Sequence, residues 1–289
     1  MEATGGDVSA AAALAAASLQ LGGDDDARRD ARLLLQFVSR RDGAWLLAHS
    51  EQVLSAEIAL RFDEAIARRA RGEPVAYITG EAWFYGRRFS VSPAVLVPRP
   101  ETEQLVEAAL EYLDVQSRSA PLRVCDLGTG SGILAITLAC ERPALELTAI
   151  DRSDEALAVA RRNAAALGLD GRIRFCASDL FDGVAPGERF DCVVANLPYV
   201  PSGALLPAPD PTSFEPRLAL DGGADGLGFV RRIVDGAPTR LETGGTLAIE
   251  VGAGEADAAA RLFEARGFRR VTITRDYGRI ERVVDGVWG

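Results

Sequence analysis

Val124-Cys125-Asp126-Leu127-Gly128-Thr129-Gly130-Ser131-Gly132-Ile133 is the stretch whose reading decides the fold. Its first residues close an apolar strand, and its last begins a helix. Three glycines alternate between them. Glycine lets the backbone turn sharply and come close to a ligand. The spacing is GxGxG, whereas a dinucleotide site of the GxGxxG type would need glycine where Ile133 stands.

Such a turn is a weaker match to a pyrophosphate than to the methionine part of S-adenosylmethionine (SAM). The alternative is a tight turn with no ligand. The surroundings favour the ligand. Strands are expected at 122–126, 145–150, 173–177, 190–195 and 246–251, with helices at 133–140, 154–167, 226–240 and 255–265 between them. Alternating β and α units make a parallel, doubly wound sheet, with ligands at the carboxyl ends of its strands. Two strands, 271–275 and 281–287, follow without a helix between them and suggest a terminal antiparallel hairpin.

Three further positions fall on that carboxyl edge. Asp151 ends the second strand and is suited to accept both ribose hydroxyls, or else caps the next helix with Ser153 and Asp154. Asp179 and Leu180 follow the third strand, where a carboxylate can read adenine and a leucine can pack on its face. Asn196-Leu197-Pro198-Tyr199 follows the fourth. An amide nitrogen has its lone pair delocalised into the carbonyl. Acceptors on its two hydrogens would orient it and favour rehybridisation. The Asn196 side-chain oxygen and the Pro198 carbonyl are such acceptors, proline stiffens the loop, and Tyr199 can stack on a planar target. The alternative is an asparagine turn closing a strand. Gly128, Thr129, Gly130, Ser131, Gly132, Asp151, Asp179 and Leu180 are therefore the expected SAM contacts. Asn196, Pro198 and Tyr199 are the expected catalytic residues, and with Leu197 they form the substrate clamp.

The chain has 289 residues, room for two folding units. Residues 1–73 read as a small helical domain, with Asp24–Asp26 and Ser55 as caps. Leu33, Leu34, Phe37 and Val38 recur on one helix, and Ile58, Phe62 and Ile66 on another. Residues 74–100 read as a β-hairpin linker, with Trp83, Phe84, Tyr85, Phe89, Val91 and Val95–Val97 in strands. A helix over 101–113 begins the third part, residues 101–289. The Pro- and Gly-rich loop 200–225 is long enough to be functional.

A net charge of −10 opposes broad nucleic-acid binding. The arginine doublets 28–29, 40–41, 68–69 and 87–88 read as solvated helix faces. No apolar run reaches the ~20 residues of a membrane span, and the alanine-rich start lacks the features of a signal peptide, so the cytoplasm is expected. Cys125, Cys140, Cys176 and Cys192 show no CxxC spacing and read as reduced, small apolar residues. His49 is the only histidine, and no carboxylates cluster at ligand spacing, so no metal site is expected.

The sequence resembles the HemK/PrmC family, the glutamine N5-methyltransferases of peptide chain release factors. The resemblance spans most of the chain. Residues 73–80 (EPVAYITG) are similar to the family's linker signature, and 91–103 (VSPAVLVPRPETE) to its "PRPET" stretch. Residues 214–223 (FEPRLALDGG) with Asp225-Gly226 resemble the loop after its clamp, and Arg275-Asp276-Tyr277 with Arg282 its C-terminal pattern. The resemblance implies a Rossmann-like class I SAM-dependent methyltransferase domain, an N-terminal domain that grips a protein substrate, and a target: the glutamine of the Gly-Gly-Gln motif in class I release factors. It also implies that Asn196 contacts SAM and that 98–103 closes over the cofactor, with an Arg99–Glu101 pair at the domain joint as the alternative. Leu197 departs from the family's usual Asn-Pro-Pro-Tyr and is similar to the clamp of rRNA adenine dimethyltransferases. Leu180 stands where some relatives carry an aromatic residue. An adenine N6-methyltransferase acting on RNA or DNA is the alternative function.

Overall fold

The computed structural model describes residues 8–116 and 121–289, so the first seven residues of the expected helical domain 1–73 lie outside the described part. Backbone contacts divide the chain into two units: residues up to Gly80 with Leu206–Phe214, and Glu81–Leu205 with Glu215–Gly289.

The first unit is helical: α1 (Ala10–Gln20), α2 (Asp25–Ser39), α3 (Gly43–Ala48), α4 (Ala56–Ala70) and α5 (Val75–Thr79). Side chains start the helices by accepting otherwise unused backbone N–H groups. Asp24 Oδ1 accepts from Ala27 at 2.7 Å and Ser55 Oγ from Ile58 at 3.3 Å, as their sequence positions predict; Ser9 and Asp42 cap α1 and α3 in the same way. Leu34, Leu35 and Val38 of α2 pack with Phe62 and Ile66 of α4 and with Ile78. Leu33 and Phe37, expected on the same inward stripe, are exposed. Consecutive apolar residues on a helix cannot all face one side, and the Ala27, Ala31, Leu34, Leu35, Val38 series takes the inner face. Residues 75–79 are helical rather than part of a hairpin. Thr79 Oγ1 turns back to the Val75 carbonyl at 3.1 Å, and Gly80 ends the helix at φ 77°.

In the second unit, β1 (Glu81–Phe84) and β2 (Arg87–Ser90) form an antiparallel hairpin. The strands do not extend to Val91 or Val95–Val97, which lie in a turn-rich approach to α6 (Glu103–Asp114). Then come β3 (Arg123–Leu127), α7 (Ile133–Glu141), β4 (Glu146–Asp151), α8 (Asp154–Ala166), β5 (Ile173–Ala177), β6 (Phe190–Asn196), α9 (Gly228–Gly236), β7 (Leu241–Glu250), α10 (Ala256–Arg266), β8 (Phe268–Arg275) and β9 (Glu281–Trp288). The sheet order is β5-β4-β3-β6-β7-β9-β8. The first five strands are parallel, and β9 is antiparallel to both β7 and β8.

The strands are apolar on both faces because helices cover both. Val124, Cys192, Val194 and Ala248 join one core with α6, α7 and the hairpin residues Phe84 and Phe89. Cys125, Leu127, Val193, Leu247 and Ile249 join the other with α9 and α10. All four cysteines are free thiols. No described helix is long and apolar enough to cross a membrane. Strand order reverses between β3 and β6, and the crevice at their carboxyl ends is where such sheets bind ligands.

Candidate active site

A cavity opens at that reversal. Gly128–Ser131, Asp151, Asp179, Leu180, Asn196, Leu197 and Pro198 line it, together with Arg99, Leu218 and Phe229. Two expected members stand apart. Gly132, at φ 86°, packs under the cavity: a Cβ there would lie 2.7 Å from Ile136 Cδ1 and 3.2 Å from Ala160 Cβ. Its lack of a side chain seats α7 against α8. Tyr199 lies beside the cavity with its hydroxyl turned away, donating to Glu250 Oε1 at 3.2 Å.

The glycine turn is held from below. Gly128 and Thr129 N–H groups donate to the Ile150 carbonyl at 2.8 and 2.9 Å. Asp126 is fully buried; its Oδ2 accepts from Thr129 Oγ1 at 2.7 Å and from Ala135 N–H at 3.1 Å. Its Oδ1 has no partner. Burial pushes this carboxyl up to about 7 against those two bonds, and the charge of Asp151 adds to the rise. The Asn163 side chain of α8 accepts from Ser90 N–H at 2.8 Å and donates to the carbonyls of Ser90 at 3.0 Å and Ser131 at 2.8 Å. One buried amide thus ties the hairpin to the turn.

Asp151 does not cap α8. Ser153 does, accepting from Ala156 N–H at 3.1 Å. Asp151 instead accepts from Gly130 N–H at 2.9 Å on one oxygen and from Ser153 N–H at 2.9 Å on the other. Burial raises its pKa, and these backbone donors oppose the rise. A carboxylate has about four lone-pair directions, so acceptor capacity remains for a ribose. Asp179 pairs with Arg232 of α9 at 2.9 Å, both partly exposed. Leu180 is buried with φ 52°, held there by the core around Phe181 and Val184. Phe229, also from α9, supplies an aromatic ring to the cavity lining.

The two motifs touch: a Cβ on Gly128 would collide with Leu197 Cδ2. Asn196 ends β6 in register with Glu250 at the end of β7. Its Nδ2 donates to Glu250 Oε2 and to Thr102 Oγ1, each at 3.0 Å. Burial pushes Glu250 up to about 7, and Glu101 adds to the rise. Hydrogen bonds from Thr102 and Tyr199, and the charge of Arg282, oppose it. Burial and the Glu250 charge in turn raise the Tyr199 phenol. Arg282 is itself held by buried Asp276 at 3.1 Å. Thr102, Asn163, Glu250 and Phe229 were not singled out from the sequence. Thr102 and Arg282 lie within family-like stretches; the others carry no local pattern.

Arg99 pairs with Glu215, not with Glu101. Glu215 is buried and accepts from Arg99 Nη2 at 2.7 Å and from Val97 N–H at 3.2 Å. This carboxylate binds the 98–103 stretch to the loop that follows the clamp. The same loop is laid against the clamp by the Val200–Asp221 bridge. Gly222 lies so close that a Cβ there would stand 2.7 Å from Tyr199 Cα and 2.8 Å from the Pro198 carbonyl oxygen.

The site residues fit SAM: a glycine turn, a half-buried carboxylate, Asp151, with spare acceptor capacity at the end of β4, and apolar walls. Residues 11–80 match the model of the PrmC N-terminal domain, and residues 119–224 that of a methyltransferase domain. A release factor glutamine methyltransferase from Cereibacter sphaeroides is 45% identical over 268 residues, covering 92% of this chain and 93% of that one. The chain belongs to the release factor glutamine methyltransferase family. The Neisseria gonorrhoeae release factor glutamine methyltransferase is 44% identical over 258 residues, covering 89% of this chain and 92% of its own. A solved methyltransferase from Pyrococcus furiosus shares the fold at a TM-score of 0.51 and 18% identity, over 71% of this chain and 91% of that one. Release factor glutamine methyltransferases use SAM, and the class I methyltransferase fold expected from the sequence is the one observed.

Proposed function

We propose that this chain transfers the SAM methyl group to the side-chain N5 of the glutamine in the Gly-Gly-Gln motif of class I peptide chain release factors, in the cytoplasm. The observation that carries the reading is the single cavity shared by the glycine turn, Asp151 and the Asn196–Pro198 clamp, in a chain of this family. Gly128–Ser131 and Asp151 hold SAM, Asp179 and Leu180 receive adenine, and Gly132 shapes the turn from beneath. SAM supplies an electrophilic methyl on a sulfonium.

The chain's own residues do the rest by placement. Asn196 Oδ1 and the Pro198 carbonyl accept the two N5 hydrogens and aim the nitrogen lone pair. Leu197 packs on Gly128 and couples clamp to cradle. Tyr199 supports the substrate plane from the side, with its hydroxyl anchored on Glu250. No general base is required before methyl transfer; the proton of the methylated nitrogen leaves afterwards to solvent. Residues 1–73 act as the substrate-engaging domain, 74–100 as linker and 101–289 as the transferase domain.

Three of the four arginine doublets favour a protein substrate over RNA or DNA. Arg28, Arg29, Arg68, Arg69, Arg87 and Arg88 each meet a carboxylate within 4 Å, which cancels the charge a phosphate backbone would need. Stable nucleic-acid binding and membrane association form no part of the reading. Mass spectrometry of a purified class I release factor incubated with the protein and SAM tests it. One added methyl on the Gly-Gly-Gln glutamine, lost with Asn196→Ala, is the expected result. An unmodified release factor, or an Asn196→Ala variant with full turnover, refutes it.

A further inference from the structure

An asparagine amide is nearly symmetric in shape but opposite in polarity at its two ends. A clamp built on Asn196 works only if its oxygen faces the substrate NH2 and its own NH2 faces the protein. Something must enforce that choice.

Both atoms facing Asn196 Nδ2 are oxygens, Glu250 Oε2 and Thr102 Oγ1, each at 3.0 Å. Tyr199 donates its hydroxyl to the other oxygen of Glu250 at 3.2 Å, and Thr102 also hydrogen-bonds Glu250. Thr102 therefore accepts from Asn196 and donates to Glu250. Three donors converge on one carboxylate, and an ionised carboxylate can only accept. Flipping the Asn196 amide would set Oδ1 against that carboxylate and remove the two bonds that Nδ2 donates to Glu250 Oε2 and Thr102 Oγ1. Among the described residues no donor reaches Asn196 Oδ1, and Asn196 lines the cavity, whereas Glu250 does not.

We propose that Glu250 is a positioning residue: as a carboxylate it fixes the polarity of the Asn196 amide, so that Oδ1 is the end presented to the substrate nitrogen. The proposal rests on the reading of Asn196 as an acceptor for a substrate NH2. It gives Arg282 a role as well. Arg282, held by Asp276, is the cation that favours the charged form of Glu250. The groups facing Glu250 are Tyr199, Thr102, Asn196 and Arg282, with Glu101 the repelling charge and Arg99 acting on Tyr199. Protonated Glu250 could donate to Oδ1 and stabilise the wrong orientation. Burial places that titration near pH 7.

The test is Glu250→Gln, which keeps shape but can meet either end of the Asn196 amide. Release factor methylation is expected to lose roughly 10- to 100-fold in kcat, with the KM values for SAM and release factor within about 3-fold of the parent. The second readout is the Asn196 side-chain NH2 resonance of the free, 15N-labelled protein, assigned by its loss in Asn196→Ala. It should titrate with a midpoint near pH 7, should still do so in Asp126→Asn, and should be flat in Glu250→Gln. Unchanged kcat in Glu250→Gln overturns the proposal. So does a kcat loss accompanied by lost SAM binding, or a parent resonance that ignores pH. A parent protein that methylates no release factor sinks the proposed function instead, and the resonance still judges the Glu250–Asn196 link, because it needs no substrate.

Discussion

Adding a single methyl group at Gly222 should disable the clamp while leaving the cofactor site intact. Gly222 is buried and has an ordinary backbone φ, so alanine there meets no conformational penalty; the obstacle is space. Its new Cβ would meet three backbone atoms: Tyr199 Cα at 2.7 Å, the Gly226 carbonyl oxygen at 2.8 Å and the Pro198 carbonyl oxygen at 2.8 Å. None is the end of a flexible side chain. Ordinary contact begins at 3.4 Å, so relief requires about 0.6–0.7 Å of backbone movement. Overpacking of this kind costs about 1–3 kcal/mol, a fall of roughly 2–10 °C in Tm for a chain of this size. The displaced atom is the Pro198 carbonyl oxygen, the proposed acceptor of a substrate hydrogen. A 1 Å misplacement of a reacting group costs about 100-fold in rate, so kcat should fall roughly 10- to 100-fold. SAM affinity by calorimetry should change less than about 3-fold, since no SAM contact moves. Gly203→Ala in the same loop is the control: its Cβ meets nothing within 4 Å, and it should behave as the parent. Gly222→Ala with the parental methylation rate would refute the argument that this glycine sets the Pro198 carbonyl.

Two further perturbations probe the frame beneath the cavity. Asn163→Ala removes three hydrogen bonds, two to exposed Ser90 and one to the buried Ser131 turn, and should cost about 2–3 kcal/mol with SAM binding weakened about 10-fold; unchanged melting and affinity would show that the turn does not depend on this amide. Asp126 concerns pH. Its folded pKa of about 7 lies above the ordinary 3.8, so its contribution to stability is complete below pH 3.8 and is lost as pH rises to about 7. Between pH 5 and pH 8 the loss is on the order of 3 kcal/mol. Glu250 acts in the same direction, so the parent carries both losses. Urea midpoints should fall less between these pH values for Asp126→Asn than for the parent; equal falls would place the pH dependence elsewhere.

Much of the site was legible because its signals are local. A strand, alternate glycines and a helix form one continuous stretch, and Asp151 and Asn196 each follow an apolar run whose end can be read from periodicity. The common direction of the strands follows from the same logic, since parallel strands joined by helices place all their carboxyl ends on one edge. Glu250 was missed for the opposite reason. It closes an apolar strand like several other residues, and only the pairing of β7 with β6 brings it against Asn196, 54 residues away. The Arg99–Glu215 pair spans 116 residues, and a nearer partner at Glu101 made chemical sense in the sequence. Phe229 sits on an amphipathic helix where any of several faces could have turned inward.

The sequence by itself determined the class of fold, the glycine turn and the place of the proposed clamp at a strand end, because each depends on short-range backbone geometry and on residue types within one turn or strand end. Only the tertiary structure decided which way the clamp asparagine faces, which carboxylate holds Arg99, why Gly222 must be glycine, and that Tyr199 anchors on Glu250 rather than lining the cavity. Those depend on how distant strand ends register and how loops lie on one another, and their energies come from burying polar groups that must find partners wherever the fold supplies them.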